Sequence, residues 1–508
     1  MKVTKVLALV LVLVMALTLL TSCGTKKAND GPRTNVRISI NSEPTSMHAG
    51  FASAVVSSYV GMQMFDSLIT KNLVTGEYEP GLASSWEFED DNTLVFKLRE
   101  GVKFHNGEAV TAEDVVFSLK EIAASGYAIT LTHFFDNFEI RDEHTVVCNM
   151  LYPYGPAIEC FSQAALGIFP KAAYEADPAA FIRNPVGSGP YKFVEWKTGE
   201  KIVMTANENY WGGKPAIKDV EFIIYNNSAT SAALALENGE LDVVSTIASS
   251  DNKRLSKNED IFFDETAGST VTFIMFNVAE GSVFANEDLR LAVAYGIDKE
   301  SVILGAVEGY GTKAITNVPS YCYGVDQGYE PPQYNVEKAK EYLAKAGYAD
   351  GLDITIPCSS TDSYLIPLEI VQGQLAEIGI NITIEKMDNN AWFEDVFRTA
   401  EYPFQMLTFS ASVADIDYYY EMYVSDGKEN FSSINIPEVD AAYKAARSAV
   451  DKEVRLAAIL DTVKVLGDKA VIVPIYQTNK AVATSKNLQG VHATAEGIYA
   501  IADWSWAE

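Results

Sequence analysis

Between Asn335 and Ile384 the spacing of apolar residues switches period twice, and that limits the folds open to the chain. Ala339, Tyr342, Leu343 and Ala346 recur at i, i+3, i+4 and i+7. This is the stripe of a helix over Val336–Ala346, capped by Asn335 and stopped by Gly347. Ile354 and Ile356 begin a strand, and Leu368, Val371, Leu375 and Ile378 form the apolar face of a second helix ended by Gly379. Ile380, Ile382 and Ile384 then alternate as another strand. A strand–helix–strand unit of this length joins parallel strands. The fold class is therefore α/β.

At 508 residues the chain is too long for one core and predicts two or three domains. Its formal charge of −29 argues against nucleic acid or an anionic membrane surface as the main partner, since both are polyanions. At the N-terminus, Lys2 and Lys5 precede an apolar run from Val6 to Leu20 broken only by Thr18. The run is short for a membrane span and suits a signal-peptide core. It ends in Leu20-Thr21-Ser22-Cys23, which resembles a bacterial lipobox. That resemblance implies cleavage before Cys23, which then carries lipid through its sulfur. Residues 24–34 are polar, with Gly, Pro and Lys, and read as a flexible tether. Of the other cysteines, Cys148 and Cys160 either close a small loop or stay as buried thiols. With Cys322 and Cys358 they show no metal-like spacing.

The stretch Gly81–Lys120 reads as strand, turn, strand or loop, and capped helix. Leu94, Phe96 and Leu98 alternate with Thr93, Val95, Lys97 and Arg99, the period of a half-buried strand. Asn106-Gly107 signals a tight turn, and Thr111 caps a helix with Asp114 placed for a reciprocal bond. Elsewhere, Val36–Ile40 reads as a strand and Tyr59–Ile69 as a helix. Pro156–Leu166 and Ser228–Asn238 read as helices, and Thr270–Asn277, Val471–Ile475 and Ala481–Thr484 as strands.

The wording of Gly81–Lys120 resembles the signature of the extracellular solute-binding proteins of family 5, the peptide, oligopeptide and nickel receptors of ATP-binding-cassette importers. The matching residues are Ala83, Trp86, Glu87, Phe96, Leu98, Arg99, Gly101, Val102, Phe104, His105, Gly107, Thr111, Ala112, Asp114 and Val115. Gly187-Ser188-Gly189-Pro190-Tyr191, Asn209-Tyr210-Trp211, Gly239-Glu240-Leu241-Asp242 and Arg290 to Asp298 match further phrases. The resemblance implies a periplasmic-binding-protein-like fold: two lobes with mixed sheets joined by a hinge, and an extra subdomain in the first lobe. The expected division is 1–22 signal peptide, 23–34 lipidated cysteine and tether, 35–269 first lobe, 270–480 second lobe, and 481–508 returning to the first. It also implies a monomeric, lipid-anchored receptor on the outer face of the cytoplasmic membrane, working with permease subunits and needing no cofactor.

Catalytic patterns are absent from the sequence. The five histidines show no HExxH, Gly212-Gly213-Lys214-Pro215 lacks the spacing of a phosphate loop, and Gly187–Gly189 is not a nucleophile elbow. Asp415-Ile416-Asp417 begins like a calcium loop, but Tyr419 and Tyr420 stand where further ligands belong. The expectation is a binding protein, with a secreted hydrolase or a peptide-sensing receptor as the reading from another class.

The family resemblance places ligand contacts at Met47 and Phe51 after the first strand, and at Cys358, Tyr364, Trp392, Phe409, Ser410, Ser412 and Asp415 in the second lobe. In dipeptide receptors an aspartate pairs with the ligand's amino group. Aligned without gaps, Ser412 takes its place here, and Asp415 the next acidic position. Cys358 stands where those receptors carry a carboxylate-binding arginine. A buried ligand charge without a partner is costly. The ligand is thus expected to differ from a zwitterionic dipeptide: a longer or modified peptide, or in second place an oligosaccharide or nickel. A shift of the loop would let Asp415 take the amine.

Overall fold

The structure is a computed structural model that describes residues 33–325, 328–411 and 413–507. The expected signal peptide, Cys23, all but the end of the tether, and Ser412 lie outside the described residues. Among the described residues no helix is long and apolar enough to cross a membrane.

Two long antiparallel strands, Ile261–Phe276 and Ile472–Ser485, tie the molecule together. They sit inside a nine-stranded mixed sheet. At one end Val243–Val244 pairs with Ile472–Ser485, and beyond it lie Asn35–Ile40, Asp219–Ile224, Lys201–Ala206 and Tyr191–Lys197. Asn35–Ile40 runs parallel to both its neighbours. At the other end the partners are Phe404–Ser410, which forms the sheet's edge, and the short Gly311–Lys313.

The apolar cores divide in the same way. One runs from Val36 to Val243 and is joined by Leu488, Tyr499 and Trp504, with a satellite around Leu236 and Leu255. The second lobe holds two, one around Tyr419, Tyr423 and Ile459, the other around Phe276, Leu375 and Ile380. Each lobe thus buries most of its own apolar surface; the long strands pass between them, and Val413 of the second lobe packs into the first lobe's core.

Within the second lobe, Leu352–Ser359 and Ile380–Met387 pair in parallel, flanking the helix Asp362–Ile378. The first lobe carries a four-stranded antiparallel sheet, in the order Ala83–Asp90, Thr93–Leu98, Thr145–Met150, Phe135–Asp142. Thr111 and Asp114 form the reciprocal capping box on the helix Ala112–Ser125. His105 bridges two backbone turns, its Nε2 lying 3.0 Å from the Gly189 carbonyl while Gly187 N–H donates to Nδ1.

Several elements differ from the sequence expectation. The helix expected over Tyr59–Ile69 lies at Val55–Gly61. The Gln63 and Met64 carbonyls instead accept from the Tyr191 and Gly189 N–H groups. That pulls the chain out of helical geometry. Pro156–Leu166 splits into the helix Ala157–Ser162 and a short turn at Ala164–Leu166. The strand expected at Thr270–Asn277 is the end of a sixteen-residue strand, and the two expected near the C-terminus are one. The four described cysteines are free and buried.

Candidate functional site

The site is built where the lobes face each other beside the crossing strands. Within Ile261–Phe276 the register slips between Ala267 and Val271, a bulge at the passage from one lobe to the other. Ser269 N–H there donates to the Ala495 carbonyl, which sets the neighbouring Glu496 between the lobes.

The first lobe contributes a buried ion pair. Lys71, on the short strand Ile69–Lys71, donates to Glu159 Oε2 at 2.8 Å, and the Tyr78 hydroxyl donates to the same oxygen at 2.6 Å. Burial works against the Lys71 ammonium, but the Glu159 charge and hydrogen bond outweigh it and hold its pKa up. From the second lobe comes Tyr321, whose ring centroid lies 5.7 Å from the Lys71 ammonium. The hydroxyls of Tyr321 and Tyr419 are buried without a hydrogen-bond partner among the described residues. Glu496 forms neither an ion pair nor a hydrogen bond within the same set, and burial, helped by Glu159 and opposed by Lys71, pushes its carboxyl up to about 7.

A second group of contacts joins the lobes at the loop after Phe404–Ser410. Tyr154, from the first lobe, donates to Asp417 Oδ2 at 2.9 Å, while Arg447 Nε holds Oδ1 at 2.6 Å. Gly155 N–H donates to the Arg447 carbonyl at 2.8 Å. Asp415 is 1 % exposed, and Arg455 Nη2 reaches both its oxygens at 2.7 Å. The lobes are therefore in direct polar contact at this loop.

The residues expected to touch ligand separate into two sets. Met47, Cys358, Trp392 and Asp415 are buried and present almost no surface to the interlobe space. Trp392 Nε1 donates to Gln405, Cys358 packs in the second lobe with its thiol pushed up to about 12 by burial, and Asp415 is neutralised by Arg455. The loop does not shift to free Asp415 for an amine: its carboxylate is committed to holding that loop. Phe51 is half-buried and stacks on Tyr174, away from the second-lobe residues, and Tyr364 packs on Trp392. Phe409 and Ser410 end the edge strand. Phe409 lies 6.1 Å from Tyr418, which packs against the cores of both lobes, and the exposed Ser410 hydroxyl is 2.6 Å from that of Thr270.

Lys71, Tyr321, Tyr419 and Glu496 were not singled out by the sequence. They come from four distant segments, and no local spacing links them. The nearest signal was Tyr419, noted only as standing where a calcium loop needs ligands.

The profile of the bacterial extracellular solute-binding proteins, family 5, matches residues 77–431. A heme-binding protein A of Haemophilus influenzae is 26% identical over 460 residues, covering 80% of this chain and 81% of its own. A probable D,D-dipeptide-binding periplasmic protein of Escherichia coli is 27% identical over 430 residues, covering 82% of each. Among solved structures, HbpA2 from Haemophilus parasuis superposes with a TM-score of 0.85 at 24% identity, over 93% of this chain and 100% of its own.

Proposed function

From the premise that this chain belongs to the bacterial extracellular solute-binding proteins of family 5, we propose that it is a lipid-anchored receptor that captures a peptide between its lobes and hands it to an importer. Family 5 proteins are substrate-binding proteins of ATP-binding-cassette importers, not enzymes. Peptide as the ligand, and the anchor at Cys23, are the finer parts of the reading.

The observation that carries the peptide reading is the edge strand Phe404–Ser410, which ends beside the interlobe space at Phe409 and Ser410. An extended peptide binds such an edge through its main chain, with alternate side chains entering pockets. Thr270 and Ser410, whose hydroxyls lie 2.6 Å apart at the end of that strand, offer fixed polar contacts there. Capture follows from lobe closure: a ligand touching both lobes favours the closed state by its differential affinity for it.

Mass spectrometry of the full chain, extracted in detergent and kept native, tests both parts. The expected chain begins at Cys23, carries the mass of lipid, and releases a series of peptides on denaturation. Release of a sugar, nickel or heme overturns the peptide reading. An unlipidated chain beginning elsewhere overturns the anchor.

A further inference from the structure

Away from the space between the lobes, the second lobe holds a cavity of its own, about 370 Å³ with its open mouth included. The helices Glu287–Gly296, Lys299–Val307 and Lys452–Asp468 and the start of the strand Ile472–Ser485 surround it. The segment Tyr329–Pro332 straps across one side. Pro331 and Pro332 have their φ angles fixed by their rings, and the Tyr329 hydroxyl lies so close over Gly467 that no Cβ would fit there. That wall is set before anything binds.

The charge around the cavity is positive. Lys299 is half-buried on its wall, and the ammonium donates to the Ala314 carbonyl at 3.0 Å. It makes no ion pair among the described residues. The carboxylates beside it in sequence are engaged elsewhere: Asp298 caps the helix at the Glu300 N–H, and Glu300 pairs with Lys313. A second cation stands behind the cavity. Arg290, one turn before the lining residue Ala294, is 3 % exposed, and its guanidinium donates to the carbonyls of Phe284, Ala285, Lys469 and Ala470. Ala470 lines the cavity too, and Glu287, whose charge Arg290 feels, reaches Lys469 at 3.7 Å. Both cations are thus answered at hydrogen-bond distance by carbonyl dipoles alone. An ammonium carries three N–H donors, of which Lys299 uses one. Burying a cation without a counter-charge is costly, and an anion in the cavity relieves that cost.

We propose that this cavity binds a small carboxylate, the Lys299 ammonium holding its charged end and Val463, Ile472 and Val473 its carbon body. Every lining residue belongs to the second lobe, so the site is separate from the space between the lobes. Its volume is at the low end for a ligand pocket even with the mouth included, so the carbon chain is short, of acetate or propionate size. Binding carries a proton linkage. Burial, with Lys313 nearby, pushes the Lys299 ammonium down to about 8, and a carboxylate selects the charged form. Affinity is therefore flat below about pH 8 and falls by up to roughly tenfold per unit above it. The other ionisable groups around the site are Lys313, Tyr329 and Arg290, with Asp298 and Glu300 on Lys299's own helix and Asp468, tied to Lys464, beyond Tyr329.

The test uses the full chain, with sodium acetate as the probe, acetamide as its neutral counterpart and sodium chloride to match ionic strength. Lysines are labelled with an amine-reactive reagent, and the rate at each site is read by peptide mass spectrometry. Acetate at about ten times its dissociation constant should slow labelling of Lys299 roughly tenfold and leave the other lysines unchanged, while acetamide should slow none. The protection should fade above about pH 8. Lys299→Met, which keeps an apolar stem without the charge, should lose the rise in thermal unfolding midpoint that acetate gives the wild type. A Lys299 rate that acetate leaves unchanged, or that acetamide lowers equally, overturns the site. So does a Lys299 that does not react without acetate, since its amine then does not face the cavity, and so does a Lys299→Met variant that acetate still stabilises. The labelling is read on the wild type and needs no variant to fold.

Discussion

His48 shows how far a single side chain's surroundings can differ from what its neighbours in sequence suggest. It follows the polar stretch Asn41–Ser46, yet in the fold it is fully buried, with Phe65, Phe51 and Phe169 around its ring. Gly50 N–H donates to its Nδ1 at 3.0 Å, and Nε2 lies 2.9 Å from the Gly167 carbonyl, so the neutral ring carries its proton on Nε2. Burial, opposed by the Gly167 bond, pushes its pKa down to about 4. The unfolded chain takes up this proton near pH 6.5 and the folded one only near 4. Between those values the unfolded state binds more protons, so stability is lost as pH falls through the window, by about 3 kcal/mol in full. Urea unfolding from pH 7 to pH 4.5 should therefore show an acid loss that His48→Gln reduces by about that amount; equal slopes in both proteins would contradict it. Gly167 lies 119 positions away, and Arg455 lies 40 from the aspartate it neutralises. Such pairings are set by tertiary packing, which is why the sequence could name Asp415 but not its commitment.

At the scale of elements, local rules worked where one face of an element is buried and failed where a strand crosses between lobes. The Asn335 cap, the parallel pair around Asp362–Ile378 and the Thr111–Asp114 box all follow from patterns within a few residues. The long strands were read as fragments because Glu265–Thr270 and Gln477–Lys480 are polar: they pass the interlobe space, where alternation serves no core. Gly268 sits in this passage, where a Cβ would lie 2.5 Å from the Thr478 carbonyl and 2.9 Å from Lys480 Cγ. A backbone carbonyl cannot yield as a side chain can, so Gly268→Ala must spread the strand pair, at about 1–3 kcal/mol. Gly373, inside the helix Asp362–Ile378, has open space around its Cβ position, and Gly373→Ala should stabilise by about 0.5–1 kcal/mol. Opposite shifts in urea midpoint at unchanged slope are expected for the two variants. A neutral Gly268→Ala would mean the crossing strands are not held as closely as their register implies.

For the whole molecule, the question is what holds the lobes together and what ligand adds. Tyr154 and Gly155 of the first lobe meet Asp417, Arg447 and Arg455 of the second, with the Arg447 guanidinium 3.3 Å from the centroid of the Tyr420 ring. Of the two aspartates in the loop after the edge strand, Asp417 joins the lobes, while Asp415 holds the loop to Arg455. Gly155 is the closest approach. A Cβ there would run into the Ala449 carbonyl and lie 2.5 Å from Arg455 Cδ, all across the lobe boundary. Gly155→Ala therefore strains this junction while sparing each lobe's own core, and penalises any arrangement in which the two lobes meet here. If the wedge costs about 1.4 kcal/mol, the closed population relative to the open falls roughly tenfold, and apparent ligand affinity falls with it. The expected readings are a larger radius of gyration by small-angle X-ray scattering without ligand, roughly tenfold weaker peptide binding, and a midpoint of thermal unfolding close to the wild type's. Tyr154→Phe, which removes the hydrogen bond to Asp417 without adding bulk, should move affinity in the same direction by a smaller factor. Unchanged affinity in both variants would show that the lobes close on the ligand alone, and that Asp417 and Arg447 only shape the loop.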